Sequence, residues 1–433
     1  MKRVLLVFPT AWDRRQLAAL SLAARARYEV VLDRPADEDV RWDHDVIGHI
    51  EERAVSWRGA LQGVTSSSDY PGAIVAAGLA QAMGLRGSAP EAVLRAGHKY
   101  YSRLVQREVA PAAVPDFALL DPDDPPTWPR PGDFPRFVKP VKGSFSLFAR
   151  RVADLPQLEA LLASPALQEF RDYHGRLFDL LAGRYTRFEH GARWFVSEAV
   201  LTGQQVTVEG WVQGGRANVL GIVDTGFYAG TPSFGRFDYP SALPAPVQER
   251  LGAIACRVAE ALGLDDTLFN VEMFHDPLSG KDGIVEINPR MCGQFCDLYE
   301  KVDGTNGLEL ALALATGEPA KVERGRGRFR AASSFPLRVF ESVRVLQAPA
   351  DADLRRLEAA HPGSLLWSEV QAGQHLAVGP QSEDGASVRY AILNLGGESR
   401  SALEAQRATI ARELGFVFAR EPAPRPGTLS PGP

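Results

Sequence analysis

Cysteine is nearly missing from this chain: Cys256, Cys292 and Cys296 are the only three in 433 residues. So sparse and odd a set excludes a disulfide framework, and Cys292-x-x-x-Cys296 has no second pair to complete a zinc site. A reducing, cytoplasmic setting is the expectation. Long apolar runs are lacking too. The run Val4-Leu5-Leu6-Val7-Phe8 stops at Pro9 and is followed by Asp13, Arg14 and Arg15, which fits neither a signal peptide nor a membrane-spanning helix. The formal net charge is −5, so the overall positive excess of a nucleic-acid protein is absent. The turn after the first strand is Pro9-Thr10-Ala11-Trp12. It lacks G-x-G-x-x-G, and a dinucleotide cofactor is not supported.

Lysine is the most informative scarcity. Among 48 lysines and arginines only seven are lysine, at positions 2, 99, 139, 142, 281, 301 and 321. Where arginine supplies the ordinary surface charge, a retained lysine hints at a compact point-charge role. Three of the seven lie at 99, 139 and 142.

What is present begins with an α/β alternation. Arg3–Phe8 reads as a buried strand, Arg14–Tyr28 as a helix, Glu29–Leu32 and Gly63–Ser66 as strands, and Ala73–Met83 as a helix. This predicts a small Rossmann-like parallel sheet over residues 1–95. Residues 96–193 carry a helix with Lys99 running to Glu108, a proline-rich loop Asp121–Pro135, the strand Arg136–Pro140 and the helix Leu155–Leu162. Gln168–Arg193 is polar, aromatic and irregular, and reads as an insertion or lid. Within 194–326, strands at Trp194–Val200, Val206–Val212 and Ala217–Val223 precede a long amphipathic helix, Val247–Leu262. Strands recur through 327–420, at Phe329–Ser334, Leu365–Val370, His375–Val378 and Tyr390–Leu395, before a helix at Ser401–Leu414. Residues 421–433 are proline-rich and read as a disordered tail.

The chemistry concentrates near residue 280. Leu268–Phe274 and Gly283–Asn288 alternate with period 2, and turn formers fill His275–Asp282, so the two can pair as a hairpin. Leu268, Asn270, Glu272 and Phe274 share one face of the first strand. Ile284, Glu286 and Asn288 share one face of the second, with Val285 and Ile287 behind. That pairing gathers Glu272, Glu286 and Asn288 as an all-oxygen set of the type that Mg²⁺ accepts. Arg290 stands just beyond Pro289. The plainer alternative is a solvated hairpin with two surface glutamates. Val138-Lys139-Pro140-Val141-Lys142-Gly143-Ser144-Phe145-Ser146 joins strand-end lysines to a small-residue turn whose backbone N–H groups can approach phosphate. It is not a Walker A loop, since the G-x-x-x-x-G-K-[ST] order is absent; a basic surface turn is the alternative.

Phe269-Asn270-Val271-Glu272 followed by Glu286-Ile287-Asn288-Pro289-Arg290 resembles the metal-binding end of the ATP-grasp superfamily, in its carboxylate–amine ligase and biotin-carboxylase-like branch. The resemblance implies an α/β ATP-grasp fold with a Rossmann-like pre-domain and a β-rich C-terminal lobe. It implies ATP and Mg²⁺ (or Mn²⁺) as cofactors, with Glu272, Glu286 and Asn288 on the metal. Lys99 and Lys139 would bind nucleotide phosphates, and Lys142, Gly143, Ser144 and Ser146 would form the flap over them. Glu198 with the backbone of Ala199, Val200 and Leu201 would contact adenine. Gln205 stands where many relatives carry a ribose-binding glutamate, so that role is weaker here. The flap also departs from the pattern, with one glycine and with Phe145 and Leu147 in place of smaller residues.

Arg290 is the catalytic candidate, gripping an acyl phosphate or substrate carboxylate with two parallel hydrogen bonds. His98 reads as structural, and Glu209 as a second-layer group or simply an exposed strand residue. The implied reaction activates a carboxylate as its acyl phosphate and joins it to an amine, releasing ADP and phosphate. Small-molecule carboxylate and amine substrates are the expected partners, without nucleic acid or membrane, and with a homodimer left open. The rivals are bicarbonate-dependent carboxylation, for which this chain has no biotinylated carrier motif, and a non-catalytic nucleotide-binding protein.

Overall fold

A computed structural model describes residues 1–33, 45–143, 147–379, 382 and 384–420. The tail expected at 421–433 therefore lies outside the described residues. The first strands form a parallel sheet in the order Tyr28–Leu32, Lys2–Leu6, Gly63–Thr65. Val4, Leu5, Leu6 and Val7 are fully buried, as a parallel strand covered on both faces requires. Helix Gly72–Met83 is apolar on nearly every side and buried along most of its length, and it stops at Gly84 with φ +67°. A left-handed cap of that kind suits glycine.

The segment expected to be irregular after Gln168 is largely helical. Pro165–Phe170 and Arg176–Tyr185 are α-helices joined by a π-helical turn, Arg171–Gly175. Leu177, Phe178, Leu181 and Ala182 pack into the core of the first domain. Their i, i+1, i+4, i+5 spacing is a helical stripe, which the surrounding polar and aromatic residues obscured.

A four-stranded antiparallel sheet follows, in the order Phe117–Leu120, Phe195–Ala199, Arg136–Pro140, Arg150–Val152. By position in sequence, strand Phe195–Ala199 falls with the later lobe. It pairs instead with strands some sixty to eighty residues earlier, so a division at 193 cuts through this sheet.

The largest sheet has eight antiparallel strands. Their order is Asp282–Asn288, Thr267–His275, Gln204–Gln213, Arg216–Phe227, Phe234–Tyr239, Ala331–Val339, Val388–Gly397, Ser364–Ser368. It runs unbroken from the hairpin of Thr267–His275 and Asp282–Asn288 into the C-terminal strands, so residues after 327 extend this sheet. Helix Ala245–Ala261 covers one face, with Leu251, Ala255 and Val258 against Val206, Val208, Phe269 and Val271. The opposite face of the same strands carries polar side chains and forms the floor of the site. A small sheet of Val343–Gln347, His375–Leu376 and Val417–Arg420 completes the architecture. Among the described residues no helix is long and apolar enough to cross a membrane. The three cysteines are free.

Candidate functional site

The hairpin forms as its alternation predicts. Glu272 lies directly opposite Glu286, and Asn270 opposite Asn288. The register then slips, because Met273 faces Ile284 and leaves Val285 without an opposite residue. This β-bulge corrects one expectation. Ile284 turns to the apolar face and packs with Met273, Val271 and Ile287, while Glu286 stays with Glu272. A bulge inserts one residue into a period-2 pattern, so alternation alone misassigns the side chains beyond it. The Asn288 side chain is oriented by its Nδ2, which donates to Asn270 Oδ1 at 3.0 Å.

Three lysines converge on this hairpin. Lys99 opens the helix Lys99–Val109, capped by the buried His98, whose Nδ1 accepts from Tyr101 N–H at 3.4 Å. Its Nζ lies 3.1 Å from Glu286 Oε2 and donates to Gly143 O at 3.0 Å. Lys139, at the end of strand Arg136–Pro140, is 2% exposed; it lies 2.8 Å from Glu198 Oε2 and donates to Val285 O at 2.9 Å. Lys142 pairs with Asp69 Oδ2 at 3.1 Å and sits 5.0 Å above the Tyr70 ring. Burial lowers Lys139 and Lys142 below the ordinary lysine value, opposed chiefly by Glu198 for the first and Asp69 for the second. Gly143 borders the same cluster; Ser144 and Ser146, the remainder of the expected flap, lie outside the described residues.

Glu198 is held more tightly than the resemblance implies. Arg103 Nε and NH2 lie 2.6 and 3.2 Å from its two oxygens, and Lys139 takes Oε2 as well. Burial disfavours its charge, yet Arg103 and Lys139 outweigh that and bring it down to about 2. Arg103 carries no motif of its own in the sequence. Its NH2 also donates to the carbonyls of Ile284 and Val285, at 2.7 and 2.8 Å. It thus ties the four-stranded sheet to the glutamate-bearing hairpin across the cleft. The available signal was its position four residues after Lys99, one helical turn along the same face. Among the residues expected to contact adenine, Ala199 N–H is taken by Asp116 O at 2.8 Å. Val200 follows with no contact that defines a role, and the Leu201 side chain packs over Gly283, where a Cβ would meet it at 2.4 Å. Gln205 faces the carboxylate pair, its Nε2 donating to Glu272 Oε2 at 3.1 Å.

Arg290 follows the hairpin. Its Nε is 3.9 Å from Asp69 Oδ1; burial works against its charge, and Asp69 leads the anions that hold it protonated. Glu209, on the neighbouring strand beside Asn270, is 2% exposed and accepts from Cys292 N–H at 2.9 Å. It braces the chain just after Arg290, and burial pushes it up to about 7.

Burial, followed by the charge of Glu286, pushes Glu272 up to about 7. Lys99 and Lys139 overcome the same burial at Glu286 and hold it below the usual carboxylate range. Two opposed, half-buried carboxylates and an amide oxygen form a hard donor set that suits Mg²⁺, so the residues present fit the implied metal. Among the described residues no group of three His, Cys, Asp or Glu side chains offers a different metal site. The cavity bounded by Gly97, Lys99, Arg103, Lys142, Glu286 and Asn288 measures about 10 Å³, room for about one water molecule.

No family model and no curated protein sequence matches this chain. Solved structures do. The L-amino acid ligase from Bacillus licheniformis superposes with a TM-score of 0.71 at 17% identity, covering 97% of this chain and 99% of that one. The N5-carboxyaminoimidazole ribonucleotide synthetase from Thermotoga maritima gives 0.63 at 14% identity, covering 97% and 100%. The biotin carboxylase domain of the Hydrogenobacter thermophilus 2-oxoglutarate carboxylase, a dimer solved with MgADP, ADP and bicarbonate, gives 0.62 at 13% identity, covering 96% and 90%. Likeness at such low identity establishes the fold, and the fold is ATP-grasp, as expected.

Proposed function

We propose that this protein is an ADP-forming ligase that activates a carboxylate as its acyl phosphate and joins it to an amine. One observation carries the reading. Glu272 and Glu286 face each other across the hairpin, and Lys99, Lys139, Lys142 and Arg290 close on the same cleft from separate elements. The structures with the same fold include an L-amino acid ligase and a MgADP complex, which supports nucleotide and Mg²⁺ at this site.

Each residue then has a task. Lys99 and Lys139 exchange their carboxylate partners for phosphate oxygens of ATP, and Lys142 meets the terminal phosphate. Glu272, Glu286 and Asn288 would hold Mg²⁺, which supplies neutralisation of phosphate charge. Arg290 grips the acid with its planar fork and aligns an oxygen for attack on the γ-phosphorus. The amine displaces phosphate from the acyl carbon. No side chain serves as a covalent nucleophile, and the free cysteines are poor candidates, since burial pushes Cys292 up to about 12 and Cys296 well above the ordinary thiol value.

The test is a trapping screen. With ATP, Mg²⁺ and a panel of carboxylic acids including the amino acids, hydroxylamine should capture the activated acyl group as a hydroxamate, with ADP and phosphate formed alongside. Arg290→Lys should reduce hydroxamate formation more than nucleotide affinity, because the charge stays while the two-pronged grip is lost. AMP and pyrophosphate as products would defeat the mechanism. A requirement for bicarbonate and a biotinylated carrier would replace it with carboxylation.

A further inference from the structure

The floor of the cleft is a row of polar side chains on strand Gln204–Gln213. Gln205, Thr207 and Glu209, at alternate positions, are buried, and Val206 and Val208 between them pack with the helix Ala245–Ala261 on the other face. On the adjoining strand Glu272 stands directly opposite Thr207, which makes Gln205 its diagonal neighbour. Diagonal positions lie about 7–8 Å apart, a gap that a long side chain spans and a short one does not. Gln205 spans it, its Nε2 donating to Glu272 Oε2 at 3.1 Å. An ionised carboxylate only accepts hydrogen bonds, so the N–H side of the amide is the one that must face it.

The two facing glutamates are therefore held by different means. Glu286 is paired with Lys99, whose Nζ lies 3.1 Å from its Oε2, and the ligase reading sends that lysine to phosphate. Among the described residues, Glu272 has no basic side chain at ion-pair distance, and its side chain takes its hydrogen bond from Gln205. A neutral amide aims a carboxylate without cancelling its charge. It does not compete with an incoming cation as a lysine would, and donors of this kind orient the ligands of metal sites. We propose that Gln205 is a positioning residue for the divalent cation, fixing Glu272 for the metal instead of reading the ribose of the nucleotide. Glutamine serves here where many relatives carry glutamate, because a third carboxylate could not donate to Glu272. The assignment rests on the ligase reading, which puts Glu272 on the metal.

The probe is Mn²⁺, added to the protein in saturating ADP. Bound metal is read from water-proton relaxation, which rises when the ion is held on a slowly tumbling protein. Gln205→Met keeps the length and loses the donor, whereas Gln205→Asn keeps the amide and loses the reach. Both should weaken Mn²⁺ binding by about 10- to 100-fold. The preference for ADP over deoxyadenosine diphosphate, measured by calorimetry at saturating Mn²⁺, should match that of the native protein. In a Glu272→Gln background either substitution should add little, because Gln205 acts through that carboxylate. If the methionine variant does not fold, the asparagine variant decides. Native Mn²⁺ affinity in either folded variant would overturn the proposal. A lost preference for ADP with Mn²⁺ affinity retained would return Gln205 to the ribose and overturn it too. So would an undiminished loss of affinity in the Glu272→Gln background. Failure of the native protein to bind ADP and Mn²⁺ at all would instead mark failure of the ligase reading, and the assignment of Gln205 would fall with it.

Discussion

Removing Arg103 should expose how strongly the two halves of the cleft depend on one buried charge. Arg103 and Glu198 have side chains 2% and 4% exposed and share two contacts, at 2.6 and 3.2 Å. Glu198 falls from an ordinary 4.5 to about 2, which corresponds to about 3 kcal/mol of preference for its charged form. That agrees with the roughly 3–5 kcal/mol lost when one member of a buried ion pair is deleted. Because the carboxyl is depressed in the folded state, this stability is fully present above pH 4.5 and is lost as the pH falls toward about 2. Arg103→Met should therefore lower stability by about 3–5 kcal/mol near neutral pH, and Glu198→Gln, which strands Arg103 and Lys139, by a similar amount. The double variant leaves less uncompensated charge and should cost no more than the worse single, so the coupling should be at least about 3 kcal/mol. Urea denaturation followed by tryptophan fluorescence measures all four proteins. Additive losses would show that the pair does not act as a unit and would refute the reasoning.

Glu286→Gln keeps the shape of the hairpin and removes the charge facing Glu272. Turnover should fall on the order of 100-fold or more, the scale of losing a charged partner in a transition state, with thermal unfolding little changed; near-native turnover would take Glu286 off the metal. His98 titrates at 6.5 in the unfolded chain, but burial lowers it to about 3 in the folded one. The unfolded state therefore binds the extra proton below 6.5, and stability should drop by about 2 kcal/mol from about pH 7 to about pH 5 on this account alone. His98→Asn retains a side-chain acceptor for Tyr101 N–H and should lose about 2 kcal/mol less over that interval; equal pH dependence in the two proteins would contradict the burial.

The hairpin was legible because its information is local. Alternation places Glu272 with Asn270 and Glu286 with Asn288, turn formers separate the strands, and the register follows. The lysines stood out against an arginine background. Arg103 and Asp69 were hidden because their partners lie 95 and 73 residues away, and no pattern in a single segment encodes such a meeting. Ile284 was misplaced for a different reason: the bulge at Val285 breaks the period on which the reading relied. The pairing of Phe195–Ala199 with the earlier strands is likewise a tertiary choice, since an isolated strand does not state its partner.

The scarcity of lysine also bears on chemical self-protection. An acyl phosphate is a potent acylating agent, and a deprotonated lysine amine is as good an acceptor as a substrate amine. Lys99, Lys139 and Lys142 each stand against a carboxylate, Glu286, Glu198 and Asp69 respectively. Burial pulls Lys139 and Lys142 toward the reactive neutral form, and those carboxylates pull them back. Elsewhere most of the positive charge is guanidinium, which stays protonated and so does not compete for the acyl group. On the proposed chemistry, each lysine is matched by a carboxylate at rest and by phosphate in the loaded site, and either anion keeps the protein from becoming its own substrate.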